Sequence, residues 1–228
     1  MIELQERDLR ILKTTYENQI LSQAQVARFF FQGRSDVAVR QRLSELEKEG
    51  FIKRRVINNG ERHTLVRLSK KSKELIEKTQ QIKVPEIRYV DQATLTHDLA
   101  VTGVRLRLEE LWDGTWIPER ALKCEEFSLV PDGIFRFESG NYAAIEIENS
   151  RKDRNRMHRL LSRWALSQPF FVLYVALSED RFNFLKDCIL DASAEIAIGV
   201  MEFENLNSQD PQVWSPSGTV HPFSRRSW

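Results

Sequence analysis

Three closely spaced carboxylates, Asp132, Glu146 and Glu148, pose the chemical question in this sequence. Residue types alternate along Tyr142-Ala143-Ala144-Ile145-Glu146-Ile147-Glu148. A strand there sends Ile145 and Ile147 to one face and Ala144, Glu146 and Glu148 to the other. The preceding run, Val130-Pro131-Asp132-Gly133-Ile134-Phe135-Arg136-Phe137, reads as a partner strand, with Glu138-Ser139-Gly140-Asn141 as the turn. Closing that hairpin brings Asp132 near both glutamates. Like charges so placed repel unless a cation neutralises them. Oxygen-only ligands select hard ions, so Mg2+ or Mn2+ is the metal expected on Asp132, Glu146 and Glu148. The same residues also read without chemistry, Pro131-Asp132-Gly133 as a turn and Glu146 with Glu148 as a solvated strand face.

A basic stripe stands beside these acids. The periodicity predicts a helix over Asp153 to Ser167 that buries Met157, Leu160, Leu161, Trp164 and Ala165. Lys152, Arg156, Arg159 and Arg163 follow another face at helical spacing. Four like charges on one face repel, which points to a polyanionic partner. His97 opens a helix expected over Gln92 to Trp112. It is a candidate for the acidic centre, or else a core histidine, since it shares a stripe with Val101, Val104, Leu108 and Leu111. Leu99, Gly103 and Leu106 line the other side, so this helix is expected to be buried. A strand over Trp116 to Leu122, a buried strand over Pro169 to Leu177, a helix over Ser178 to Ala192 and a strand over Ile196 to Phe203 complete the expected sheet domain.

The N-terminal third holds a second constellation, suited to phosphate and base edges. Helix one is expected over Arg7 to Glu17, with Leu9, Leu12 and Tyr16 on one face. Ser22 can cap a second helix, Gln23 to Phe30, with Ala24, Val26, Ala27 and Phe30 inward. Ser35 or Asp36 caps a third, which stops at Gly50 and points Val39, Leu43 and Leu46 at a core. Its opposite face carries Gln41, Ser44 and Lys48, flanked by Arg40. The turn Asn58-Asn59-Gly60 joins two β-prone runs in a hairpin. Three helices and a basic hairpin make a winged helix, with helix three as reader and the hairpin as wing. Between Arg34 and Lys73 stand twelve Lys/Arg against five Asp/Glu, although the whole chain carries only +1. Arg34, Arg40, Gln41, Ser44, Lys48, Lys53, Arg54, Arg55 and Arg62 are the expected DNA contacts. The competing reading is a domain for protein contacts, its cations merely solvated.

The expected fold class is therefore α/β (α+β): a winged helix over 1–83, a mixed-sheet domain over 90–204 and an irregular tail over 205–228. Lys83-Val84-Pro85 marks the boundary. No stretch approaches the ~20 apolar residues of a membrane span. The acidic N-terminus does not read as a signal peptide. Cys124 and Cys188 make neither a CxxC pair nor a disulfide framework, which fits a reducing cytoplasm.

Pro131-Asp132, thirteen residues, then Glu146-Ile147-Glu148 resembles the PD-(D/E)xK motif of restriction-endonuclease-like nucleases, and the element order around it resembles that fold's core. The resemblance implies that Asp132 and Glu146 bind metal. Glu148 stands where that family has its lysine, and Lys152, one helical turn onward, is the candidate to supply the ammonium, with Arg151 a weaker one. With the winged helix, the runs "THDLAVTGVRLRLEEL", "PDGIF" and "IEIENSRKDR" resemble the plasmid replication-relaxation family and the MobC-class relaxases of mobilisable plasmids. That resemblance implies a metal-dependent protein that recognises double-stranded plasmid DNA at an origin of transfer. It would nick one strand there, among relaxosome accessory or coupling proteins. Histidines 63, 97, 158 and 221 are too scattered for the tyrosine-and-histidine-cluster chemistry of the commoner relaxases. Two alternatives stay open: a non-catalytic plasmid accessory or regulatory protein with a degenerate nuclease domain, and a different metal nuclease of the same fold.

Overall fold

Side-chain caps fix the helices of the N-terminal unit in the computed structural model, which describes residues 2–80, 91–124, 129–150, 153–167, 169–192 and 197–223. Helix α1 (Glu6–Asn18) leads into a two-residue strand, β1 (Leu21–Ser22). The Ser22 hydroxyl then accepts the Gln25 N–H while the Gln25 side chain accepts the Ser22 N–H, a reciprocal cap starting α2 (Gln23–Phe30). Ser35 caps α3 (Asp36–Lys48), and Gly50, at φ +73°, follows its end as expected. Strands β2 (Ile52–Asn59) and β3 (Glu61–Leu68) close at Gly60, where φ is +76°. They pair antiparallel from Ile52↔Leu68 to Asn59↔Glu61, and β1 adds to the far edge of β3. Helix α4 (Lys70–Gln80) follows. This order is a winged helix.

The buried stripes differ from expectation by about one residue. In α1 the buried apolar residues are Ile11, Leu12 and Tyr16, and Leu9 is 37% exposed. In α2, Val26, Phe29 and Phe30 are buried while Ala24 is exposed. In α2 the large Phe29 takes the core position in place of Ala24, because burying it removes more apolar surface from water.

The chain divides into two compact units, Met1–Thr102 and Gly103–Trp228, and the division falls inside α5 (Leu95–Leu111). The boundary expected at residues 83–85 lies outside the described residues. Leu95 joins Ile20, Ile57 and Leu65 in a core of the first unit. The helix is buried round its middle turns, from Ala100 through Thr102, Val104 and Leu106 to Leu108, as its two apolar faces require.

In the second unit, β4 (Gly114–Pro118), α6 (Glu119–Leu122), β5 (Gly133–Phe137), β6 (Tyr142–Glu148), α7 (Arg154–Ser167), β7 (Phe171–Ala176), α8 (Glu179–Ala192) and β8 (Ile198–Glu202) follow in order. Pro118 ends the first strand, so the 116–122 segment expected as one strand is half strand and half helical turn. Then come α9 (Phe203–Leu206), β9 (Gln212–Trp214) and β10 (Val220–Pro222). The seven-stranded sheet has the order β10-β9-β8-β7-β6-β5-β4, parallel across β6-β7-β8 and antiparallel on both flanks.

The tail expected to be irregular from residue 205 thus supplies two strands. Val213 and Phe223 are fully buried, and the Phe223 ring lies 4.7 Å from Trp112. Its Ser, Pro and Gly content marks turns between anchored apolar residues, with Gly218 at φ +79°.

Two faces of this sheet bury different sets. Phe135, Phe171 and Trp112 form an aromatic cluster with Phe137 and Phe223. Trp116 lies across Gly133 so closely that a Cβ there would stand 2.0 Å from its ring. The other face carries Ala144, Val172, Tyr174 and Val200, which pack with Met157, Leu161 and Trp164 of α7 and Leu185, Cys188 and Ile189 of α8.

Candidate functional site

The winged-helix unit sorts its charges into internal pairs and an exposed set. Asp8, fully buried, receives Arg42 Nε at 3.2 Å and Nη2 at 2.5 Å, and the Gln5 N–H at 2.9 Å. Arg42 also donates to Glu45 at 2.9 Å. The hydrogen bond to Asp8 raises the guanidinium pKa further, and the hydrogen bond from Arg42 holds Glu45 below the usual carboxylate range. Glu47 accepts both the Arg54 backbone N–H and its guanidinium, each at 2.8 Å. Burial pushes Glu47 up, but these two donors outweigh it and hold it low. Lys71 donates to the Glu49 carbonyl at 3.0 Å, at the end of α3, and sits over the Phe51 ring.

The acids of the reader helix that would repel phosphate are therefore partly neutralised from within. Arg54, expected among the DNA contacts, ties the wing to α3. The exposed set consists of Arg34, Arg40 and Lys48 on or beside α3, and Lys53, Arg55 and Arg62 on the wing. None of these six forms an ion pair among the described residues. Gln41 is exposed but bonded to Glu45 at 3.1 Å, and Ser44 is half-buried.

In the second unit Asp132, Glu146 and Glu148 come together as the hairpin predicts. The register Ile134↔Ala144 puts Asp132, by alternation, on the face of Ala144, Glu146 and Glu148. An Asp132 oxygen accepts the Ile147 N–H at 2.7 Å, which pins the start of β5 between the two glutamates. Parallel pairing then aligns Glu146 with Tyr174 and Glu148 with Ala176. Tyr174 is 1% exposed, and its hydroxyl finds no acceptor among the described residues. Burial pushes this phenol well up, and Glu146 and then Glu148 and Asp132 add to the rise.

The three carboxylates do not stand alike. Asp132 and Glu146 are half-buried, whereas Glu148 is 1% exposed and one of its oxygens accepts from the Ser150 N–H at 3.1 Å. Among the described residues no group of three or more His, Cys, Asp or Glu is arranged to hold a metal ion. Of the three carboxylates expected as ligands, Asp132 and Glu146 are reachable from solvent and Glu148 is buried. Two carboxylates are a donor set that would suit a small hard cation such as Mg2+ or Mn2+.

Lys152 and Arg151 lie outside the described residues. Arg156, Arg159 and Arg163 are exposed along α7 as expected, and Arg154 pairs with Asp191. His97 belongs to the first unit, half-buried, with Nδ1 3.5 Å from Asp98. Tyr174 is the site residue the sequence does not disclose: it sits in an unbroken apolar run, and only the β6–β7 register aligns it with Glu146.

Comparison with curated proteins and with solved structures returned no match. No helix among the described residues is long and apolar enough to cross a membrane. The profile of the family described as Replication-relaxation matches residues 12–165, well over half of the chain and both constellations above. This chain belongs to the Replication-relaxation family.

Proposed function

We propose that the chain binds double-stranded plasmid DNA at an origin of transfer through α3 and the wing, and nicks one strand there with the help of Mg2+ or Mn2+. The observation that carries this reading is the pairing of Asp8 and Glu45 with Arg42, and of Glu47 with Arg54, which leaves the six exposed cations around the reader helix to face phosphate. Such neutralisation serves a domain that meets a polyanion. In the second unit, Asp132 and Glu146 would hold the divalent ion, whose role when bound is to polarise the scissile phosphate and acidify water. The Ile147 N–H keeps Asp132 aimed at that point. Arg156, Arg159 and Arg163 give the cut strand a track of positive charge along α7. Partners of a relaxosome would complete the assembly.

A second reading is a non-catalytic plasmid accessory protein. Glu148 favours it: the residue in the usual lysine position is a buried carboxylate bonded to Ser150. Supercoiled plasmid carrying the cognate origin, incubated with the chain and Mn2+ or Mg2+, separates the two. Nicking predicts open-circle product that Asp132→Asn lowers on the order of a hundredfold or more, while duplex binding stays intact. Asparagine keeps an acceptor for the Ile147 N–H, so a fold defect does not mimic the loss. Tight origin binding with no nicking by either protein overturns the enzyme and leaves the accessory reading. Linear product would favour a different nuclease.

A further inference from the structure

Val37 stands in the first turn of α3 with 62% of its surface exposed. A β-branched residue so exposed gains little from packing and is a poorer helix former than alanine. Fold stability therefore does not account for it. Helical spacing puts Val37 on one face with Arg40, Gln41, Ser44 and Lys48. The N-terminal residues of a reader helix approach base edges, whereas the wing and flanks meet the backbone. Asp36, also exposed, sits beside Val37. A carboxylate would be repelled by phosphates but suits the amino groups of cytosine or adenine on the groove floor. An acid and an apolar side chain together fit bases, not backbone.

We propose that Val37 is a specificity-determining residue, packing on the C5-methyl group of a thymine in the major groove. That methyl is the apolar group a base pair offers there. The inference rests on the duplex-binding reading above and adds the base that the first turn of α3 reads.

The test uses the full chain. Selection from a library of random duplexes yields the probe, and each thymine of the probe is then replaced singly by deoxyuridine, which lacks only the methyl. Wild type should lose about fourfold in affinity at one position, the worth of one buried methyl group. Val37→Ala should show no loss at that position and bind the deoxyuridine duplex as wild type does. The substitution removes no packing, so the fold is expected to hold. Unchanged affinity at every thymine, or a loss that persists in Val37→Ala, overturns the inference while duplex binding stands. Failure to hold any duplex at low salt overturns the binding reading, and the inference with it.

Discussion

The two units handle negative charge in opposite ways. In the winged helix three acids on or beside α3 meet an arginine: Asp8 and Glu45 share Arg42, and Glu47 has Arg54. In the sheet unit, Asp132, Glu146 and Glu148 share one face with the buried Tyr174, and the exposed arginines of α7 lie on a helix surface. Paired acids leave a surface net positive and suit a partner held by its phosphates. Carboxylates that share one face form an oxygen-only donor set. Under the proposed function, the contrast predicts that substitutions in the first unit act through stability or phosphate contact, and those at Asp132 through chemistry.

The largest stability effect is expected in the aromatic face beneath the acids. Phe223→Ala removes a fully buried ring 4.7 Å from Trp112, a truncation worth about 3–5 kcal/mol. Urea unfolding followed by tryptophan fluorescence reads it. Val220→Ala, at 59% exposed in the same tail, should stay within about 0.5 kcal/mol. Equal midpoints for the two variants would show that the tail strands are no part of the core.

Next in size is the buried pair of the first unit. Arg42→Ala strands the Asp8 carboxylate at 0% exposure with only the Gln5 N–H, at a cost of about 3 kcal/mol. Removing both charges in Asp8→Ala/Arg42→Met should recover most of that loss, because the penalty lies in the orphaned charge. A double variant as unstable as Arg42→Ala alone would assign the loss to packing instead.

How far this contrast was legible in the sequence depends on whether local signals set the geometry. Ser22, Ser35, Gly50 and Asn59-Gly60 act within a few residues, so the helices and hairpin of the winged helix follow from them. The meeting of Asp132 with Glu146 was legible for the same reason, since one short turn joins their strands. Tyr174 was hidden, because parallel pairing is set by a crossover helix and not by a local turn. The Glu47–Arg54 pair was hidden too: a count of charges cannot tell a cation committed to a neighbouring acid from one left facing solvent. The tail strands went unseen because three-residue strands are shorter than any period can register.

The smallest effect separates adjacent arginines of the wing. Arg54 is committed to Glu47, and Arg55 is exposed. Arg54→Ala should lower stability by about 0.5 kcal/mol, the modest value of a pair a quarter to a third exposed, and leave the salt dependence of duplex binding unchanged. Arg55→Ala should leave stability unchanged and reduce the slope of log affinity against log salt by about 0.9, one phosphate contact. The Glu47 pair carries a pH signature as well. Its folded-state pKa lies below the ordinary 4.5, so its contribution is full above that value and fades as pH falls through the lowered one. The Arg54 amide resonance, whose N–H bonds to Glu47, should therefore titrate below pH 4.5 in wild type and lose that step in Glu47→Gln. If instead Arg54→Ala flattens the salt slope as Arg55→Ala does, the arginine leaves its acid to meet DNA. The division between paired and exposed charge would then hold only for the free protein.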